Sequence, residues 1–171
     1  MDNKRVVITG IGIISPVGND APTTWEALLQ GKSGVTKISA FDAALFDYQI
    51  AGEVKGFDAL QHMTLKESKR MERFVQFAVV ASKEAVVSSR LDISKEDPYR
   101  VGVLIGSGIG SLHVVEEQCR IYDKRGPSRI SPFMIPLLIV NEAAGNVSIM
   151  LGAKGPNSCV ATACATGSHA I

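Results

Sequence analysis

Three cysteines, Cys119, Cys159 and Cys164, and three histidines, His62, His113 and His169, bound the nucleophilic and metal-ligating chemistry open to this chain. There is no Cys-x-x-Cys pair and no histidine at metal-ligand spacing, so neither a disulfide framework nor a zinc site is expected. The histidines are too scattered to compose a Ser-His-Asp constellation. Cys119 falls inside an amphipathic helical pattern and reads as a small buried hydrophobe, and Cys159, alternating with Val160 on a strand, reads the same way. Cys164 differs. The run from Gly155 to Ser168 reads as a strand, an abrupt turn and a helix that begins with small residues. A thiol at a helix start meets unpaired N–H groups and the positive end of the helix dipole, which stabilise a thiolate. Ala163, Ala165, Thr166 and Gly167 leave room for a thioester to reach the sulfur, and the same N–H groups can hold the oxyanion of a tetrahedral intermediate. His169, five residues further on, lies well round a helix axis from Cys164 and is not expected to be its base.

Other motifs point to binding, and most are decoys. Gly10-Ile11-Gly12 has Ser15 where a dinucleotide fingerprint needs its third glycine, and Pro16 removes a backbone donor. Gly106-Ser107-Gly108-Ile109-Gly110 is followed by no acidic residue placed to take a ribose. No nucleotide and no other cofactor is expected. With 18 basic and 17 acidic residues the net charge is +1, so no global field favours nucleic acid. Lys66, Lys69, Arg70 and Arg73 form a local basic cluster, which either solvates a helix start or receives an acidic partner.

The elements that must position these residues alternate. Arg5–Thr9 and Arg100–Ile105 are β-branched runs closed by glycine turns, as buried parallel strands are, and Ser158–Ala163 is a further strand candidate. Asp20 or Thr23 caps a helix with Pro22 in its first turn, ended by Gly31. Spacing of three and four predicts a long helix from Leu65 to about Ser89, another from Leu112 to Tyr122, and a third from Ile139 to Met150, while Gln49–Val54 suits a short strand. Strand, turn and helix in that order predict an α/β layered domain with a mixed sheet. The 171 residues are 46% hydrophobic, enough for one core. Gly10, Gly12 and Pro16 interrupt the apolar start, and no run approaches the about 20 residues of a membrane span, so neither signal peptide nor span is expected. Reduced cysteines suit the cytoplasm. Thr166–Ile171 carries no helix stop signal, which predicts a chain cut from a longer one.

Thr162-Ala163-Cys164-Ala165-Thr166-Gly167, with Gly155-Pro156 ahead of it, resembles the active-site motif of the beta-ketoacyl synthases of the thiolase superfamily. Val7–Gly12 with Ser15–Gly18, Ile105–Gly110 and Ile130–Phe133 resemble further blocks of that family in the same order, closest to the type II fatty-acid elongating synthases. The resemblance covers residues 1–171 and implies the N-terminal half of a thiolase fold, α-β-α-β-α in the full protein. It implies acyl transfer from acyl carrier protein to Cys164, then decarboxylative Claisen condensation with malonyl-carrier. It further implies that the Cys164 N–H forms half the oxyanion hole and that Ile109 walls the acyl pocket. The acidic carrier would dock on Lys66, Lys69, Arg70 and Arg129, where Ser128 departs from the family pattern. The family's catalytic histidines and lysine lie in the second half. A homodimer through the strand Asn157–Ala163 is implied as well. The competing readings are a degradative thiolase using acyl-CoA and a non-catalytic chain-length partner subunit; Cys164 argues against the latter, and Gly-Pro with Ile-Ser-Pro-Phe against the former.

Overall fold

The computed structural model describes residues 5–171, which form two compact units: one runs through Asp58 and adds Val80–Leu91, the other takes Ala59–Val79 and Asp92–Ile171. In the first unit, helix α1 (Ala21–Leu29) starts where Asp20 accepts the Thr23 N–H at 2.7 Å and ends at Gly31, whose φ of +64° closes the turn. Strands β1 (Val35–Lys37) and β2 (Ile50–Gly52) pair antiparallel, Val35 opposite Gly52.

The basic cluster lies on two further helices and the break between them. Helix α2 (Leu65–Ser68) is only one turn, fixed by a reciprocal cap in which Thr64 and Glu67 bond each other's backbone and side chain. Helix α3 (Arg73–Ser89) follows, so the single helix expected over 65–89 is broken at Lys69–Glu72. The first-unit part of α3 supplies Glu84, whose carboxylate accepts the N–H groups of Ile13 and Ala21, each at 2.8 Å. Gly12 packs so closely on α3 that a Cβ there would sit 1.9 Å from the Ala81 carbonyl oxygen. The first glycine turn is therefore a close-packing device.

The second unit holds β3 (Val103–Leu104), α4 (Leu112–Arg125), α5 (Met134–Leu138), α6 (Glu142–Leu151), β4 (Asn157–Ser158) and α7 (Thr166–His169). Strands β3 and β4 pair in parallel, Val103 beside Asn157, and α6 packs on them through Ala143, Ala144 and Val147, all buried. Small side chains let the helix approach, and each valine buried at Val103, Val114 or Val147 is worth about 1.5–3 kcal/mol. Ser111 caps α4, accepting the Val114 N–H at 3.4 Å and donating to Glu72 Oε2 at 2.9 Å. Gly126, with φ +78°, ends α4.

Alternation is present, but the strands are shorter than their sequences suggest. Arg5–Thr9 forms no strand among the described residues, and Val6, Val7 and Ile8 are 96%, 70% and 78% exposed. The run at 100–105 is regular strand only at Val103–Leu104, and the one expected over 157–163 only at Asn157–Ser158, although single backbone bonds continue between the two segments from Ile105 to Ser158 at 3.4 Å and from Ser107 to Val160 at 3.1 Å. Propensity proposes a strand, yet a neighbouring strand must supply the full ladder, and here it does so for two residues. The helix expected over 139–150 starts three residues late, at Glu142, and runs unbroken to Leu151 as α6. Among the described residues no helix is long and apolar enough to cross a membrane, and no group of His, Cys, Asp and Glu is placed to hold a metal ion.

Candidate active site

Cys164 lies on a 3-10 turn, Ala163–Ala165, which leads directly into α7, and its side chain is exposed. As the second residue of that turn it has its N–H in the first turn, where no intrahelical carbonyl is within reach. The turn itself is made by Ala163. Its φ is +49°, a left-handed conformation that costs a residue with a Cβ about 1–2 kcal/mol. Residues held this way cluster at functional sites, because the surrounding structure must over-determine them.

That surrounding structure is close at hand. The Thr162 N–H donates to Thr166 Oγ1 at 2.9 Å, the Thr162 carbonyl accepts the Ala165 N–H at 3.1 Å, and the Thr162 hydroxyl lies 2.8 Å from His169 Nδ1. Thr166 is buried, at 7% exposure, in a turn whose other residues are exposed. Its methyl packs toward Gly106, where an added Cβ would sit 2.4 Å from Thr166 Cγ2, 3.1 Å from its carbonyl oxygen and 3.2 Å from that of Val160. Gly106 thus lacks a side chain where the second glycine turn presses against the cysteine turn. Ser107 N–H donates to the Val160 carbonyl at 3.1 Å and ties the two segments together. Ile109, on the same glycine turn, is 62% exposed.

The basic residues divide. Lys69 and Arg70 share a cavity of about 300 Å³ with Ser131, Phe133, Pro136 and Leu137, so two cations stand over an apolar floor. Lys66 and Arg129 are exposed and do not line that cavity. Arg73, the fourth member of the cluster in sequence, lies with its guanidinium 4.8 Å from the Phe77 ring centroid.

One cysteine reading is corrected. Cys119 is exposed on α4, beside Tyr122, Asp123, Ile130 and Met134, because the buried stripe of that helix runs through Val114 and Gln118. Cys159 is half-buried, its thiol 3.3 Å from the Val140 carbonyl oxygen. Sequence reasoning weighed His169 only as a base and Thr166 only as a small neighbour of the thiol, and did not join them to Thr162. Their i, i+4, i+7 spacing, one face of a helix, was the signal that could have joined them.

Residues 3–171 match the family model described as Beta-ketoacyl synthase, N-terminal domain. Over its full 171 residues the chain is 50% identical to a 3-oxoacyl-[acyl-carrier-protein] synthase 2 of Synechocystis sp.. Over 169 residues, 99% of its length, it is 50% identical to a protein of the same name from Staphylococcus aureus. It spans 41% of the length of each of these curated relatives. Among solved structures it is similar to a beta-ketoacyl synthase from Burkholderia phymatum, with TM-score 0.74 and 26% identity over 97% of this chain and 41% of that one. It also shares its fold with a type II PKS ketosynthase complex containing an acyl-carrier protein, with TM-score 0.80 and 23% identity over 98% of this chain and 44% of that one.

Proposed function

The chain belongs to the beta-ketoacyl synthase family, and we propose that it is the acyl-accepting part of a 3-oxoacyl-[acyl-carrier-protein] synthase of fatty-acid elongation, with Cys164 as nucleophile. The observation that carries this is the exposed Cys164 on a turn built around a left-handed Ala163 and braced by a glycine loop. In the first half-reaction the Cys164 thiolate attacks the carbonyl of a carrier-bound acyl thioester. The new S–C bond forms at Cys164, the donor S–C bond breaks, and the carrier thiol leaves as thiolate and takes up a proton. The unpaired Cys164 N–H stabilises the oxyanion between these events. The second half-reaction, decarboxylation of malonyl-carrier and attack on the acyl-enzyme, draws on groups outside this chain, which spans 41% of its relatives.

The acidic carrier docks on Lys66, Lys69, Arg70 and Arg129, with Ile109 limiting the acyl chain. The cavity shared by Lys69 and Arg70 with Phe133 supports this reading, since cations steer an acidic partner and an apolar floor receives its non-polar contacts. The ketosynthase seen in complex with an acyl-carrier protein supports it at the level of fold. The intact enzyme is a cytoplasmic homodimer with the segment 157–163 at its interface.

Incubation of the intact enzyme with acyl-carrier thioester, followed by peptide mass spectrometry, tests the assignment. An acyl adduct on Cys164 is expected. An adduct confined to Cys119 or Cys159 would sink it, and acylation by acyl-CoA alone would favour a thiolase.

A further inference from the structure

Thr162 is held at three of its atoms: the N–H by Thr166 Oγ1, the carbonyl by the Ala165 N–H and the hydroxyl by His169 Nδ1. It immediately precedes the left-handed Ala163, and two residues separate it from Cys164's peptide neighbour Ala165. The hydroxyl of Thr166 is the buried end of this arrangement and the imidazole of His169 the exposed end. The Ala170 N–H donates to the Thr166 carbonyl at 3.1 Å, so α7 closes over the same residues. Nothing in the acyl-transfer chemistry needs a hydroxyl or imidazole here, and His169 makes its hydrogen bond to a threonine. A backbone conformation that a side chain disfavours persists only where neighbours impose it. Here those neighbours include these two side chains, beside the Gly106 loop.

We infer that Thr166 and His169 are positioning residues for Cys164: by clamping Thr162 they hold Ala163 left-handed and keep the thiol and its N–H in register for an incoming thioester. This rests on Cys164 being the acyl acceptor, as proposed above. His169 thereby acquires a role that is neither general base nor metal ligand. Both ends of the clamp can be removed without changing bulk: Thr166→Val keeps the shape and loses the hydroxyl, and His169→Leu loses the imidazole at an exposed position. Both have conservative counterparts. Thr166→Ser retains the hydroxyl, and His169→Asn places an amide near the Nδ1 position.

The test uses the intact enzyme and hexanoyl-N-acetylcysteamine as acyl donor, with the rate of Cys164 acylation read by mass spectrometry. Alkylation of Cys119 by iodoacetamide, on the exposed face of α4, serves as an internal control. Thr166→Val and His169→Leu should each slow Cys164 acylation by about fivefold or more, the worth of one intramolecular hydrogen bond, and leave the Cys119 rate unchanged. Thr166→Ser and His169→Asn should stay within about twofold of wild type, less than half that bond's worth on a logarithmic scale. If wild type acquires no acyl group at Cys164, the nucleophile assignment fails, and the clamp with it. If wild type is acylated but His169→Leu and His169→Asn react at the same rate, the clamp alone is overturned. Should Thr166→Val fail to fold, the His169 pair still decides.

Discussion

Replacing Gly106 by alanine probes the contact between the glycine loop and the cysteine turn. The new Cβ would stand 2.4 Å from Thr166 Cγ2, against about 3.5–4.0 Å for carbon atoms in comfortable contact, so one side must move by more than an ångström. Thr166 cannot simply rotate away. Its hydroxyl would abandon the Thr162 N–H, and the carbonyl oxygens of Thr166 and Val160, at 3.1 and 3.2 Å from the added atom, restrict retreat on the other side. Overpacking of this kind costs about 1–3 kcal/mol, partly offset by the about 0.4–1 kcal/mol that alanine gains over glycine through the unfolded chain. A net loss of about 1–2 kcal/mol is expected. Thr166→Ser removes the clashing methyl but keeps the hydroxyl, and by itself costs about 0.8 kcal/mol for one buried carbon. In the double variant the alanine Cβ fills the space the methyl vacated, so the two losses should cancel by about 1 kcal/mol in a double-mutant cycle. Urea unfolding followed by far-UV circular dichroism measures all three, since the single tryptophan, Trp25, lies in the other unit. Gly106→Ala within about 0.5 kcal/mol of wild type, or strictly additive variants, would refute the packing argument.

Further outcomes follow from the same structure. Reversing Lys69 and Arg70 to glutamate should slow acylation from carrier-bound substrate, more at low salt than at high, yet spare acylation by a small thioester; equal loss with both donors would mean the pair supports the fold. Glu84→Gln leaves an NH₂ facing one of two backbone N–H donors, and should cost about 1.5–3 kcal/mol as the loss of a bond to a charged acceptor; an unchanged urea midpoint would count against the Glu84 tie. Asp20 is held below the usual carboxylate range by the Thr23 hydroxyl and then by the Thr23 N–H. Its contribution is therefore complete above about pH 4, the ordinary aspartate value, and is lost as pH falls through the lower folded value. Asp20→Asn should keep the cap and flatten that acid limb of the stability curve, whereas Asp20→Ala should cost about 1 kcal/mol at neutral pH.

Much of this protein is local, and what is local could be read from the residues. The Asp20 cap with Pro22 and Gly31, the helical spacing along α3 and α4, and a thiol on a turn between strand and helix all depend on neighbours within a few positions in the chain. The order of motif blocks around Cys164 likewise required no coordinates. The lengths of the strands did, because a β-branched run such as Val6–Ile8 becomes a strand only where another segment offers its N–H and carbonyl groups. So did the exposure of Cys119, since the periodic pattern of α4 was compatible with more than one buried stripe until packing chose Val114 and Gln118. The left-handed Ala163 was decided furthest from the sequence. Alanine does not favour that conformation, and what imposes it is the clamp on Thr162 together with a glycine loop more than 50 residues earlier in the chain, Gly106 standing against Thr166. Residue type and spacing singled out Cys164 as the proposed nucleophile; the contacts that hold its backbone in a disfavoured turn exist only in the folded chain.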